Sequence, residues 1–290
     1  MGKVYNALNK TARRSEKAEP SVIDVEAVED FEDGPTRTQF DFMRYSLNAQ
    51  STFERERTRR EAAAQALVRR SLAEPSREVI LDSSRIDPHI AAYYSARATD
   101  HYNKIAMGLI SAAAGRKLKR VLIASADHGD GRTSVTLNLA RALGRAGRRV
   151  LVVDCDLKRP STLRMLGLKA EIGITEAFRR GIPAGAATIR VRPFDFNLLP
   201  AVEQVDNPAE VLASPLFWKM VQVFDQEHDF MLFDSSPLLY SGDVHLLARA
   251  TDTTVLVIRA GKLNSTEMAK AVEPFSRNEI FGVVLNRFAQ

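Results

Sequence analysis

The sequence contains one cysteine, Cys155, and no apolar run as long as a membrane-spanning helix requires. A single thiol excludes an internal disulfide and favours a reducing compartment. The apolar runs fall short of the roughly 20 residues of a transmembrane helix, and no signal peptide is evident. Net charge is also small, because Lys+Arg 41 and Asp+Glu 36 leave +5. We therefore expect a cytoplasmic protein that reaches the inner face of a membrane only through a partner, with nucleic acid disfavoured.

What the chain does have is the composition of a globular protein, with 290 residues, 45% hydrophobic and 27% charged. Its pattern changes near residue 85. Residues 1–85 combine an acidic stretch with an Arg/Glu/Ala-rich run, which predicts a largely mobile N-terminal arm, mostly disordered with short helices. A helical subdomain is the alternative interpretation of this part. Residues 86–290 are predicted to form the folded domain.

In that domain, short continuous apolar runs alternate with segments of helical periodicity. The predicted strands cover residues 121–125, 150–153, 230–233, 254–258 and 281–285. Continuous apolar strands separated by helices predict an α/β fold, with a mostly parallel sheet covered by helices on both faces. A single long helix is predicted over residues 208–227.

The first of these strands runs into a glycine-rich loop, Gly129-Asp130-Gly131-Arg132-Thr133-Ser134, which opens a helical segment. This strand–loop–helix arrangement is that of a P-loop, in which backbone N–H groups and a helix N-terminus cradle phosphates. The hydroxyl of Thr133 is a candidate ligand for Mg²⁺. Arg132 stands where a P-loop normally has lysine. The sequence thus predicts a P-loop NTPase whose nucleotide-binding residues are those of the loop.

Acidic residues follow two later strands, Asp154 and Asp156 after one and Asp234 after the other, with Asp243 one turn into the next helix. The carboxyl ends of parallel strands line the ligand crevice, so these side chains are expected to face the P-loop. Phosphoryl transfer needs a metal shell, a phosphate cradle and often a base, and this set offers candidates for each. Taken singly, each aspartate is also compatible with a helix cap or a loop residue.

The order of these motifs resembles the bacterial tyrosine kinases (BY-kinases), P-loop proteins of the Min/Par ATPase lineage that control capsule and exopolysaccharide export. The resemblance rests on the P-loop, Leu-Val-Val-Asp154-Cys-Asp156-Leu-Lys-Arg159-Pro160, Phe-Asp234-Ser-Ser-Pro237, and Gly-Val-Val-Leu-Asn286. It runs from about residue 87 to 286.

The resemblance implies a role for each matching residue. ATP and Mg²⁺ would be the cofactors, with Thr133 and Asp234 at the metal and Asn286 near the adenine. Asp154 and Asp156 would be catalytic, Asp156 as the base that activates a tyrosine hydroxyl, and Arg132 would occupy the catalytic lysine position. The implied partners are a transmembrane activator like a polysaccharide co-polymerase and, as a state left open, further copies of the chain.

Three departures from the family pattern keep other functions open. Arg132 replaces the lysine, no tyrosine follows Tyr240, and the two arginines of the family's assembly motif are missing at Asn103 and Ala106. One alternative is a nucleotide-dependent switch that binds ATP without phosphorylating tyrosine, and another is a partition- or positioning-type ATPase. If the protein is a kinase, the candidate acceptors outside the core are Tyr5, Tyr93, Tyr94 and Tyr102.

Overall fold

The computed structural model describes residues 77–88, 90, 96–262, 275 and 280–286. The predictions for the first 76 residues lie outside these residues. The described strands are β1 (Arg77–Ile80), β2 (Arg120–Ser125), β3 (Val150–Asp154), β4 (Ile189–Arg192), β5 (Phe196–Leu199), β6 (Phe230–Asp234), β7 (Thr253–Arg259) and β8 (Ile280–Asn286). The described α-helices are α1 (Ala96–Gly115), α2 (Arg132–Arg145), α3 (Thr162–Met165), α4 (Ile174–Arg180), α5 (Pro208–Leu212), α6 (Pro215–Glu227) and α7 (Asp243–Ala250).

The strands form one sheet in the order β1-β4-β5-β3-β6-β2-β7-β8. Neighbouring strands pair in parallel except β4 and β5, which pair antiparallel. Strands β1 and β4 therefore run in the direction opposite to the other six strands. The mostly parallel sheet is thereby confirmed. Strands β3, β6 and β2 lie side by side at its centre, so the loops that follow them meet at one edge.

Helices cover both faces of the sheet, as the alternation of elements predicted. Along β2, Val121 and Ile123 pack into a core that includes residues of α1 and α2, while Leu122 and Ala124 pack into a core with residues of α4 to α7. All four side chains are fully buried. A strand buried on both faces has no polar alternation, which is why these segments are continuous apolar runs.

The predicted helix over 208–227 is wrong in one respect, because the chain forms two helices, α5 and α6. Ser214 has extended backbone angles (φ −69°, ψ 132°), and its side chain accepts a hydrogen bond from the Leu216 N–H. Pro215 has no N–H to give to a continuing helix and disfavours helical geometry in the residue before it. Ser214 therefore caps a new helix, with Pro215 in its first turn.

The N-terminal edge of the sheet also differs from the expected boundary at residue 86. Strand β1 pairs in parallel with β4, from Arg77 opposite Ile189 to Ile80 opposite Arg192. Its backbone ladder continues at Leu81, whose N–H donates to the carbonyl of Arg192. Residues 77–80 therefore belong to the sheet and not to an arm that ends at residue 85.

Candidate nucleotide-binding site

The P-loop joins β2 to α2 and has the backbone that its glycines predict. Gly129 and Gly131 have φ values of +74° and +90°, in the left-handed region that favours glycine. The amide nitrogen of Asn286, at the end of β8, donates to the carbonyl of Asp130 at 2.8 Å. A Cβ at Gly131 would come within 1.9 Å of that same amide nitrogen. The structure therefore brings Asn286 and the P-loop together.

The guanidinium of Arg132 is buried and lies between two of the predicted carboxylates. Its Nη2 donates to Oδ2 of Asp156 at 2.7 Å, and Nη1 donates to Oγ of Ser125 at 2.9 Å. Its Nε lies 3.3 Å from Oδ1 of Asp234, but this N–H is buried without a hydrogen-bond partner. Arg132 thus bridges the two carboxylates, and its Nε–H is left without an acceptor.

Thr133 and Asp234 are in direct contact. The Thr133 hydroxyl donates to Oδ2 of Asp234 at 2.7 Å, and Thr136 donates to Oδ1 at 3.1 Å. The Ser161 hydroxyl in turn donates to Thr133 Oγ1 at 3.0 Å. Burial raises the pKa of Asp234, although the nearby charge of Arg132 opposes the shift. The two predicted metal ligands, Thr133 and Asp234, therefore meet at the first turn of α2.

The two aspartates that follow β3 are held by different partners. Asp154 is fully buried and accepts hydrogen bonds from the Thr162 hydroxyl at 2.7 Å and from the Asp156 N–H at 3.2 Å. Its burial, together with the charge of Asp234, raises its pKa to about 7. Asp156 accepts at Oδ1 from the Ser236 hydroxyl at 3.2 Å and from the Arg159 N–H at 3.3 Å. With the bond from Arg132, both oxygens of Asp156 are occupied.

The remaining loop residues shape the loop itself. Asp130 is buried and its Oδ2 accepts a hydrogen bond from the Asp127 N–H at 2.9 Å. Ser134 is half-buried in the first turn of α2, where its carbonyl accepts from Asn138 at 2.9 Å. Asp243 is the first residue of α7 and does not lie one turn into it, as the sequence suggested, and it accepts a hydrogen bond from the Ser241 hydroxyl.

Sequence reasoning missed several residues of this site. The Lys262 ammonium, in the turn after β7, donates to the His128 carbonyl at 2.6 Å and pairs with Asp127 at 2.7 Å. Thr162 and Ser236 donate to the carboxylates of Asp154 and Asp156. Ser125 accepts from Arg132, and Ser161 donates to Thr133. The serines and the threonine adjoin the motifs in sequence, and that proximity is the signal that could have identified them. Lys262 gave no such signal, because it is 130 or more positions from its partners.

The chain matches a known family of P-loop NTPases. The ParA family, described as NUBPL iron-transfer P-loop NTPase, matches residues 117–288. The chain belongs to this family. The match covers more than half of the chain, including the P-loop and all three carboxylates.

Its relatives include bacterial tyrosine kinases. Tyrosine-protein kinase YwqD of Bacillus subtilis (strain 168) is 27% identical over 190 residues, which span 65% of this chain and 80% of YwqD. Tyrosine-protein kinase Wzc of Salmonella typhi is 28% identical over 158 residues, 54% of this chain and 22% of Wzc. The chain thus corresponds to less than a quarter of the longer relative. The resemblance to BY-kinases is confirmed.

Solved structures show the same fold. The VpsO kinase domain matches with a TM-score of 0.59 at 25% identity, over 64% of this chain and 93% of that chain. The kinase domain of the Escherichia coli tyrosine kinase ETK matches with a TM-score of 0.64 at 18% identity, over 77% of this chain and 95% of that chain.

No helix among the described residues is both long and apolar enough to cross a bilayer.

Proposed function

We propose that this protein binds ATP with Mg²⁺ at the P-loop and transfers the γ-phosphoryl group to a tyrosine hydroxyl. The observation that carries the proposal is the meeting of the P-loop, Arg132 and the carboxylates of Asp156 and Asp234 in one buried cluster. The kinase names of the relatives support the choice of tyrosine as the acceptor.

The residues present fit the phosphates of a nucleotide. A Cβ at Gly129 would meet no atom within 4 Å, so the loop is open on that side. The unpartnered Nε–H of Arg132 is a buried donor that a phosphate oxygen would satisfy. In this arrangement the backbone N–H groups of the loop and the N-terminus of α2 would bind the negative charge.

The oxygen atoms of Thr133 and Asp234 also fit Mg²⁺, which prefers oxygen ligands and keeps several waters. Among the described residues, no group of three or more His, Cys, Asp or Glu side chains is arranged to hold a metal ion. Thr133 and Asp234 would therefore hold Mg²⁺ together with phosphate oxygens and water. When bound, the ion would neutralise the charge that develops on the transferred phosphoryl group.

In the proposed mechanism, the guanidinium of Arg132 exchanges the carboxylate of Asp156 for phosphate oxygens. The guanidinium occupies Oδ2 of Asp156 and lies against Asp234. Phosphate oxygens compete for the same donors, and charge-assisted bonds to phosphate are strong. Release of Oδ2 would let Asp156 accept the proton of a tyrosine hydroxyl. Asp154 positions Asp156 by accepting a hydrogen bond from the Asp156 N–H. Because burial raises the pKa of Asp154, its neutral form also reduces the repulsion among the three carboxylates.

A second candidate function, a switch that binds ATP without phosphorylating tyrosine, is favoured by the same Arg132–Asp156 contact. If the guanidinium remains on Asp156 when ATP binds, the carboxylate has no free oxygen for a proton. Arginine is longer than lysine and planar, so the two do not substitute for each other at such a site.

The biological setting is part of the proposal and rests on the motif resemblance. We place the protein in exopolysaccharide or capsule biosynthesis or export, in the cytoplasm, recruited to the membrane by a transmembrane activator. Iron transfer, named in the family description, has little support here, because iron–sulfur clusters are held by several thiolates. This chain has one cysteine, and it is buried.

Phosphosite mapping tests the proposal. The full chain is incubated with Mg·ATP, with and without membranes that hold its native partner, and its phosphotyrosines are mapped by mass spectrometry. We expect phosphotyrosine in the wild type and loss of it in Asp156→Asn from every tyrosine whose proton Asp156 accepts, with ATP binding retained in both. Bound ATP without phosphotyrosine, even with membranes present, would instead establish the switch. In that case Arg132→Lys is expected to gain phosphotransfer.

A further inference from the structure

Tyr240 belongs to the segment between β6 and α7, and its ring contacts the residue that precedes the P-loop glycines. Its ring stacks on the ring of His128, with centroids 5.1 Å apart and planes at 21°. The backbone of this segment is tied to the end of β2 and the loop, since the Leu238 N–H donates to the Ser125 carbonyl at 2.9 Å. The Leu239 N–H likewise donates to the carbonyl of Ala126 at 3.1 Å. The tyrosine is thus held next to the residues that would cradle phosphates.

The hydroxyl of Tyr240 has a carboxylate as its partner. Asp127 binds the Lys262 ammonium and also accepts a hydrogen bond from the Tyr240 hydroxyl, and both bonds help to hold the pKa of Asp127 below its usual range. A phenol bonded to a carboxylate has a proton acceptor already in place. The hydrogen bond places an acceptor oxygen directly on the phenol proton, which is the geometric requirement for a general base.

Tyr240 is also accessible, which distinguishes it from the other tyrosine that the structure describes. Its exposed fraction is 61%, whereas Tyr102 packs partly buried against the core beside α2, where burial raises the pKa of its hydroxyl. Tyr5, Tyr93 and Tyr94, the other acceptors that the sequence suggested, lie outside the described residues.

From this geometry, and resting on the proposed kinase activity, we propose that Tyr240 accepts the γ-phosphoryl group of ATP bound by the P-loop of the same chain. The phenol oxygen forms a bond to the γ-phosphorus, and the bond between that phosphorus and the β,γ-bridging oxygen breaks. ADP leaves with the bridging oxygen, and the phenol proton passes to the carboxylate of Asp127, which for this one tyrosine takes the role proposed above for Asp156.

The modification would change the charge at the mouth of the site. A phosphotyrosine carries close to two negative charges at neutral pH. These would stand beside Asp127 and near Asp130, where Lys262 is the cation that pairs with both carboxylates. Repulsion would then weaken the binding of a second ATP. Phosphorylation of Tyr240 would therefore act as an off-signal for the chain that carries it.

The test compares two complementary variants of the full chain. Tyr240→Phe removes the hydroxyl but keeps the ring that stacks on His128, so ATP binding is expected to persist. The second variant keeps Tyr102 and Tyr240 and replaces Tyr5, Tyr45, Tyr93 and Tyr94 with Phe. After incubation with Mg·ATP, we expect phosphate at Tyr240 in the wild type and in the second variant, and loss of that phosphate in Tyr240→Phe.

Two further measurements test transfer within one chain and its consequence. The initial rate of Tyr240 labelling per chain should not change when the protein is diluted. The phosphorylated protein should bind a fluorescent ATP analogue more weakly than the unmodified protein. A rate that rises with protein concentration would overturn transfer within one chain, and unchanged affinity would overturn the off-signal.

The outcomes separate this inference from the proposed function. Phosphotyrosine at other sites, with Tyr240 unmodified and Tyr240→Phe labelled like the wild type, would overturn the inference and leave the kinase activity intact. No phosphotyrosine anywhere, with ATP bound, would overturn the kinase activity and the inference together.

Discussion

Arg132 and Asp156 form a buried ion pair, with Nη2 2.7 Å from Oδ2, and the same guanidinium lies against Asp234. An arginine at the lysine position of a P-loop is thereby tied to the residues on which phosphotransfer would depend. The pair links the first residue of α2 to the loop after β3, so it contributes to the fold as well as to the site.

Replacing Arg132 tests the structural part of this pair. Arg132→Ala leaves two buried carboxylates without their cation, and we expect it to lower the free energy of unfolding by about 3–5 kcal/mol. Urea denaturation followed by circular dichroism measures this. The matched control is Arg149→Ala, which breaks a surface pair with Asp229 in which the arginine side chain is 62% exposed. That variant should lose at most about 1 kcal/mol. Equal losses would contradict the importance of the buried pair.

Two glycines of the P-loop should differ in their tolerance of alanine. Gly129→Ala places a side chain at φ +74° in open space, so we expect only the strain of a left-handed residue, about 1 kcal/mol. Gly131→Ala adds a clash with the Asn286 amide and should lose more stability and more affinity for ATP. Thermal denaturation and titration with a fluorescent ATP analogue measure both.

Asn286→Ala provides a check on that clash. If the amide nitrogen is the obstacle, Gly131→Ala combined with Asn286→Ala should lose less stability than the sum of the two single variants. An additive double variant would show that the Asn286 amide moves aside without cost.

The buried carboxyl of Asp154 predicts a pH dependence of stability. Its pKa is about 7 in the folded protein against 3.8 for an unperturbed group, so between these values the folded state binds the extra proton. The free energy of unfolding should therefore fall as pH rises through this window, by up to about 1.4 kcal/mol per pH unit from this group. Asp154→Asn should flatten the slope, as measured by urea denaturation at several pH values.

The control is Asp229, whose contribution to the free energy of unfolding changes with pH in the opposite direction. Asp229 has a pKa lowered by its hydrogen bond from Arg149, so its contribution is present above its ordinary pKa and is lost as pH falls below about 4. Asp229→Asn should leave the slope near neutral pH unchanged. A slope unaffected by Asp154→Asn would show that Asp154 remains ionised across the window.

Lys262 should affect ATP binding from outside the P-loop motif. It neutralises Asp127 and Asp130 and bonds the His128 carbonyl, so Lys262→Met leaves two carboxylates beside the phosphate site. We expect weaker ATP binding, seen in a titration with a fluorescent analogue, and partial recovery in Lys262→Arg. Lys169→Met, at an exposed lysine, is the control and should bind like the wild type. If both methionine variants bind equally well, Lys262 has no effect on the nucleotide.

The central part of the fold could be predicted because burial leaves a clear pattern in sequence. Strand β3 is a continuous apolar run that ends at Asp154, and the P-loop follows another such run. In a parallel sheet, the positions of Asp154 and Asp234 at strand ends follow from topology alone, and they do face each other in the register of β3 and β6.

The parts that could not be predicted depend on contacts between distant segments. Strands β1 (Arg-Glu-Val-Ile) and β4 (Ile-Arg-Val-Arg) are short and charged at the edge of the sheet, so they lack an apolar run. The guanidinium of Arg132 could have pointed into the loop or away from it, and only the folded chain fixes its partners. The same holds for Lys262, whose role depends on the turn after β7 reaching the loop after β2.

The pairing of β1 with β4 has a consequence for protein production. A fragment that starts at residue 86 would remove β1 and leave the backbone N–H and carbonyl groups of β4 bare along one side, next to the buried side chains of Ile189 and Val191. Bare strand edges of this kind recruit other chains and cause aggregation. A soluble fragment for crystallisation or kinetics should therefore begin ahead of Arg77.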